Sequence, residues 1–199
     1  QMKRLLTITF LFFALTLSAK PRVTGGLSWG YLPQVYRSYS CAYYSGRDGY
    51  RINDSREGMR YVRNSYVLLD GGVDFLRHFS VHLQTGLRGV DVDYVVMPMN
   101  VDFRFFLKGY DRSGLFIGGM AGAALHNWSF DDGIFNAGLS LGYREQLYRE
   151  LSVDFAFKLE GINCHPLPVD KYEGVISRPQ VLFSNTNYLF VGFGVGINF

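Results

Sequence analysis

The chain has little cysteine and little charge. Only 2 of its 199 residues are Cys, which excludes a disulfide-dense scaffold and a cysteine-rich metal module. Charged residues make up 19% of the sequence against 48% hydrophobic ones, which excludes a disordered, charge-solvated polymer. The formal net charge is only +3, so nucleic acid is not an expected partner. Helical periodicity is missing as well: beyond residue 20 no 3.6-residue apolar stripe persists, and no window is apolar enough for a membrane helix. What is plentiful is glycine (23), phenylalanine (17) and tyrosine (14).

The opening residues have their own character. Met2-Lys3-Arg4 precedes an apolar run from Leu5 to Leu17, followed by Ser18-Ala19-Lys20. A basic start, about a dozen apolar residues and a small exit residue are what a secretory signal requires. The run is too short to cross roughly 30 Å of hydrocarbon as a helix. The expected division is a signal peptide over 1–19 and one mature domain over 20–199.

The mature region alternates with period two, the mark of strands with two different faces. The last segment is the clearest: Leu189, Val191, Phe193, Val195, Ile197 and Phe199 share one face, and glycines 192, 194 and 196 the other. Similar alternation sets Leu151, Val153, Phe155, Phe157 and Leu159 on one side, and likewise Phe135, Ala137, Leu139, Leu141 and Tyr143. Residues 22–31, 66–76 and 79–88 behave alike, and 114–125 is too rich in Gly and Ala to show its facing. Around Pro98 the apolar parity changes from Val92, Tyr94 and Val96 to Met99, Val101 and Phe103, which predicts a bulge there.

The chemistry of the faces fixes their environment. The apolar face carries no charge, as lipid contact demands, since Arg or Lys at mid-bilayer on a barrel wall costs about 2–4 kcal/mol. The opposite face carries glycine and balanced charge: Arg22, Arg88, Arg104, Arg144 and Lys158 against Asp70, Asp74, Asp102, Asp154 and Glu160. Such a set predicts a paired network filling a narrow interior. The fold class expected is therefore all-β, an eight-stranded antiparallel up-and-down transmembrane barrel, monomeric, with a plugged lumen. An even strand number puts both termini on one side, the periplasm for an exported barrel. Inner turns should be short, near 77–78, 108–113 and 145–150. Outer loops should be long, especially about 32–65 and 162–187, with shorter ones near 89–91 and 126–134. The two longest hold Cys41 and Cys164, one each, a candidate disulfide in an oxidising compartment.

The terminal stretch YLFVGFGVGINF, with Phe193, Val195, Ile197 and Phe199 in alternation, resembles the C-terminal signature by which outer-membrane proteins are recognised for assembly. Val95-Val96-Met97-Pro98-Met99-Asn100-Val101, followed by the Gly-rich LFIGGMAGA at 115–123, resembles the proline-containing strand of the outer membrane protein β-barrel domain family. The resemblance covers most of residues 22–199. It implies a small Gram-negative outer-membrane barrel, with outer-membrane lipid and the barrel-assembly machinery as partners.

Candidate chemistry is sparse. His126 and Ser129, with Asp131 and Asp132, are a local set of the kind a lipid-modifying barrel enzyme needs, but their spacing does not make a nucleophile–base pair. Cys164-His165 with Asp170 lacks metal-ligand spacing, and Gly192-x-Gly194-x-Gly196 has no strand-to-helix context for a phosphate loop. No metal or cofactor is expected. The first outer segment is rich in Tyr and Arg, including Tyr36, Arg37, Tyr39, Arg56, Arg60 and Arg63. These residue types favour recognition, while Tyr31, Tyr61 and Tyr66 suit an interfacial girdle whose arginines meet lipid phosphates. The expected function is non-enzymatic, structural or recognising an unknown extracellular ligand. A lipid-modifying enzyme or a small channel is the alternative.

Overall fold

A computed structural model describes residues 21–47, 49–92 and 94–199; the expected signal peptide lies outside them. The strands are β1 (Arg22–Tyr31), β2 (Gln34–Tyr44), β3 (Arg51–Val62), β4 (Ser65–Phe75), β5 (Phe79–Asp91), β6 (Tyr94–Phe106), β7 (Gly114–His126), β8 (Ser129–Tyr148), β9 (Leu151–Cys164), β10 (Val169–Asp170), β11 (Gly174–Val175) and β12 (Val181–Asn198). Eight of them, β1, β4, β5, β6, β7, β8, β9 and β12, pair antiparallel in that order, and β12 returns to β1 to close the ring. Closure leaves no open edge within the wall. The Phe199 amide donates to the Gly25 carbonyl at 2.8 Å and Gly25 donates back at 2.9 Å, locking the seam at its lower end.

The outer wall is oily throughout. Leu69, Leu83, Leu87, Phe103, Ile117, Leu139, Phe155, Phe157 and Phe193 all lie on the surface, because they occupy one parity of strands whose other parity fills the interior. An apolar belt of this extent is incompatible with water. The strand at 114–125 is now oriented: Leu115 and Ile117 face out, Phe116 and Gly118 face in.

Pro98 causes no bulge. The ladder from β6 to β7 runs unbroken through Met97↔Leu125, Pro98↔Ala124 and Met99↔Ala123. Val95 and Met99 face out while Val96 and Pro98 face in, so the parity is constant. The apparent flip arose because Val96 is apolar and points inward. The irregularity instead lies between Gly89 and Asp91.

The expected loop at 32–65 is largely strand. β2 continues β1 after a break at Leu32-Pro33, and it stays paired to the upper half of β12 from Gln34↔Phe190 to Val181↔Tyr43. β3 pairs with β2 along its length and leads into β4. β2 and β3 therefore rise past the barrel as a hairpin, β2 alone giving about 35 Å of chain at ~3.3 Å per residue. Residues 126–134 are also strand, joined by a two-residue turn at Asn127 and Trp128 with φ of 50° and 62°, the twist a tight hairpin prefers. Between β9 and β12 the small β10–β11 hairpin and a short 3-10 turn (Arg178–Gln180) fold against the tall hairpin.

Cys41 and Cys164 are free and buried, so the candidate disulfide between them is not formed. Cys41 lies opposite Ser184 and Cys164 opposite Thr186, on the two flanks of β12. Two ladder spacings put their backbones about 9–10 Å apart, beyond the reach of a disulfide. Alkylation without reductant should therefore add two labels to unfolded protein, and Cys164 should resist labelling while folded. A native chain that takes no label even when denatured would contradict this.

Candidate functional site

The interior is filled in layers. In the middle, Arg104 donates to Asp102 at 2.7 Å and Asp154 at 3.1 Å, and Asp70 lies 3.9 Å away. Arg144 grips Asp154 with two donors, at 2.7 and 2.8 Å. His82 sits against Asp70 at 3.1 Å and Asp74 at 3.9 Å. Higher, Arg88 pairs with Glu160, which Lys158 also approaches at 3.9 Å. Uncharged partners complete the set: Gln84 bonds Asp102, Asn198 bonds Asp154, and Asn136 bonds Asn100. Arg22 stands apart at the lower rim, donating to the Arg149 carbonyl at 2.9 Å. The structure thus brings together nine of the ten lumen charges singled out from sequence.

Aromatic rings close this network from both ends. Arg144 stacks over Phe106 at 4.3 Å, and Phe106 meets Phe116 at 5.4 Å. Above, Arg88 lies over Phe190 at 4.6 Å and Lys158 over Tyr66 at 4.4 Å. Tyr66 is buried in the lumen rather than in the girdle where the sequence suggested it, because Gly30 and Gly194 leave space for its ring: a Cβ at Gly194 would run into the Tyr66 hydroxyl. An apolar layer of Leu68, Val90, Val96, Ile134, Ile162, Tyr188 and Phe190 then covers the network. Sequence parity missed this layer, since apolar residues on the lumen face look like errors in the alternation.

Above that floor the structure opens. A cavity of about 550 Å³ is walled by β2, β3 and residues 166–169, with Asp91, Tyr94 and Tyr188 at its base, a volume suited to a small ligand or an extended side chain. Arg37 spans its base, with Tyr39 at 5.5 Å and Tyr188 at 5.6 Å, and donates to Asp91 at 2.9 Å. Arg60 holds the same carboxylate at 3.2 Å. Arg56 keeps most of its side chain in solvent.

His126 and Asp132 do meet: Nδ1 lies 2.8 Å from the carboxylate. The Tyr94 hydroxyl donates to the same carboxylate at 3.0 Å, its ring lies 4.3 Å from the imidazole, and Arg178 lies 3.9 Å from Asp132. This clasp ties β6, β7, β8 and the 3-10 turn together. Spacing concealed it, because β8 gains extra residues between Ala124↔Ile134 and His126↔Ser129, which re-aims Asp132. Asp170 accepts the Tyr43 hydroxyl at 2.6 Å, and no cluster of metal-ligating side chains occurs among the described residues.

The hairpin tip is held by Glu173. Its carboxylate accepts the Ser45 hydroxyl and the Arg47 and Gly46 amides at 3.1 and 3.0 Å. These donors, the Ser45 hydroxyl first, hold its carboxyl below the ordinary glutamate value of 4.5. A depressed carboxyl stabilises the docked tip fully above pH 4.5, and the contribution disappears as pH falls through the lower folded value. Glu173→Gln should therefore speed amide exchange at Gly46 and Arg47 at pH 7, matching the unmodified protein in acid. Unchanged exchange would remove Glu173 from this role.

No family model and no curated protein matches the chain. Among solved structures the chain is similar to the outer membrane protein AlkL in lipid bilayers, with 12% identity, a TM-score of 0.47, and coverage of 89% of this chain and 90% of that one. Similar also is OprG of Pseudomonas aeruginosa, at 12% identity and a TM-score of 0.46, covering 88% and 95%. The outer membrane protease OmpT of Escherichia coli follows at 9% identity and a TM-score of 0.38, covering 89% and 96%. By its own geometry, this chain is a closed, eight-stranded antiparallel β-barrel with an apolar, membrane-facing outer wall.

Proposed function

We propose that this barrel spans the outer membrane, with β2, β3 and residues 165–180 outside the cell, and serves in surface recognition rather than in transport or catalysis. The observation that carries the reading is a sealed floor beneath an open cavity. The apolar layer lies over the buried charge network, while Arg37, Tyr39, Arg56, Tyr94 and Tyr188 line the chamber above. Tyrosine and arginine supply large contact area with few degrees of freedom, the usual basis of binding hot spots. The His126–Asp132 pair acts as part of the clasp, since Tyr94 and Arg178 face the same carboxylate.

The test is a screen of glycan and peptide arrays with purified protein in micelles, beside planar-bilayer recordings. The reading expects capture of one ligand class, lost on Tyr39→Ala with Tyr188→Ala, and no steady conductance. Ion-selective conductance would favour a channel. Altered membrane lipid in cells carrying the protein, abolished by His126→Ala, would favour an enzyme.

A further inference from the structure

Where the β2–β3 hairpin leaves the closed ring there is a notch, and its lower lining belongs to the oily outer wall. Pairing of β4 with β5 ends at Tyr66↔Arg88, while β3 pairs on one side only, with β2. Between the free edge of β3 and the end of β5 lies a groove of about 720 Å³. Asn64 closes it from inside, donating to the Val90 carbonyl at 3.0 Å. The groove has two chemical zones. Val67, Leu87 and Val95 form its lower part, exposed and continuous with the oily belt. Arg60 and Arg63 stand above them, beside the Tyr31–Tyr61 hydroxyl pair at 2.6 Å.

We propose that this groove binds a phosphorylated lipid of the outer leaflet, with its phosphate between Arg60 and Arg63 and an acyl chain over Val67, Leu87 and Val95. The inference rests on the membrane-spanning reading; Arg60 and Asp91 also line the outer cavity, whereas Arg63 lines the groove and not that cavity. Charge complementarity selects this occupant. Guanidinium groups bind phosphate through paired donors, and here they sit where the apolar wall ends, which is the depth of a lipid headgroup. Asp91 is the acidic residue lining the groove, and Arg37 and Arg60 already share it. Arg63 thus brings a positive charge beyond that pairing. The charged edge of β3, with Arg51, Asp54, Arg56 and Glu57, discourages another strand from pairing there.

The test places the full barrel in phosphatidylcholine nanodiscs doped with diphosphoryl lipid A or with the same lipid stripped of phosphate. Lipid retained after extraction is counted by native mass spectrometry. The unmodified protein should retain the phosphorylated form selectively. Arg63→Gln, and Arg60→Gln with Arg63→Gln, should each lower retention, the pair by about tenfold or more, the loss expected when a charge-assisted phosphate contact is removed. Arg51→Gln, at the hairpin tip, should change nothing. Heat-dependent gel mobility confirms that each variant is folded. Equal retention of the dephosphorylated lipid, or retention undiminished in folded Arg63→Gln, would overturn the proposal. Because Arg63 does not line the outer cavity, that failure would leave the recognition reading standing.

Discussion

Arg104→Ala is expected to cost the barrel about 3–5 kcal/mol, the effect of leaving buried charges without their partner. Arg104 is buried among Asp70, Asp102 and Asp154, and its removal would leave one cation, Arg144, facing Asp154. The carboxylates are buried, with Phe106 and Phe116 below them and the apolar layer above. Arg22→Ala is the matched control. Arg22 bonds one backbone carbonyl at the rim, so its loss should stay within about 0.5 kcal/mol, as for ordinary surface substitutions. Urea titration of refolded protein in micelles, read by gel mobility, measures both. Equal small losses would mean that the lumen is hydrated and the network is not a plug.

Leu139→Arg should be nearly as damaging, by about 2–4 kcal/mol if the position lies near mid-bilayer. Leu139 faces outward from the middle of β8, flanked by Leu159 on β9 and Gly119 on β7, and it is 64% exposed. On a water-soluble protein, a leucine so exposed would tolerate arginine with almost no change. The sign of the experiment therefore separates the two solvents. The same exchange at Met59, which is 93% exposed on the outer hairpin, should be close to neutral. Comparable costs at both sites would show that depth is not the controlling variable.

The outward half of the wall was legible in the sequence because a single rule governs it: every residue touching acyl chains must be apolar. Leu139, Leu141, Phe155 and Phe157 obey that rule, and the eight barrel strands followed from it. The inward half obeys no single rule. Asp154 and Arg144 are lumen residues, but so are Phe190, Val96 and Leu68, so an inward valine at position 96 imitates a change of face. The tall hairpin was invisible for a related reason. Arg51–Val62 is wet on both sides and needs no alternation, so its composition reads as loop while its backbone pairs with β2. The cysteines show a further limit: residing in neighbouring outer segments did not reveal that β12 runs between them. The meeting of His126 with Asp132 depends on extra residues in β8, which spacing along an ideal strand cannot anticipate.

The account stands on lipid contact at the outer wall, and the two tryptophans report on it directly. Trp29 lies in β1 on the outward parity, while Trp128 is 85% exposed at the β7–β8 turn. With Trp128→Phe leaving Trp29 as the fluorophore, bilayers of lipids brominated along their acyl chains should quench most of the emission, and aqueous iodide very little. With Trp29→Phe leaving Trp128, the pattern should reverse. Strong iodide quenching of Trp29 with indifference to brominated chains would contradict the membrane-facing wall.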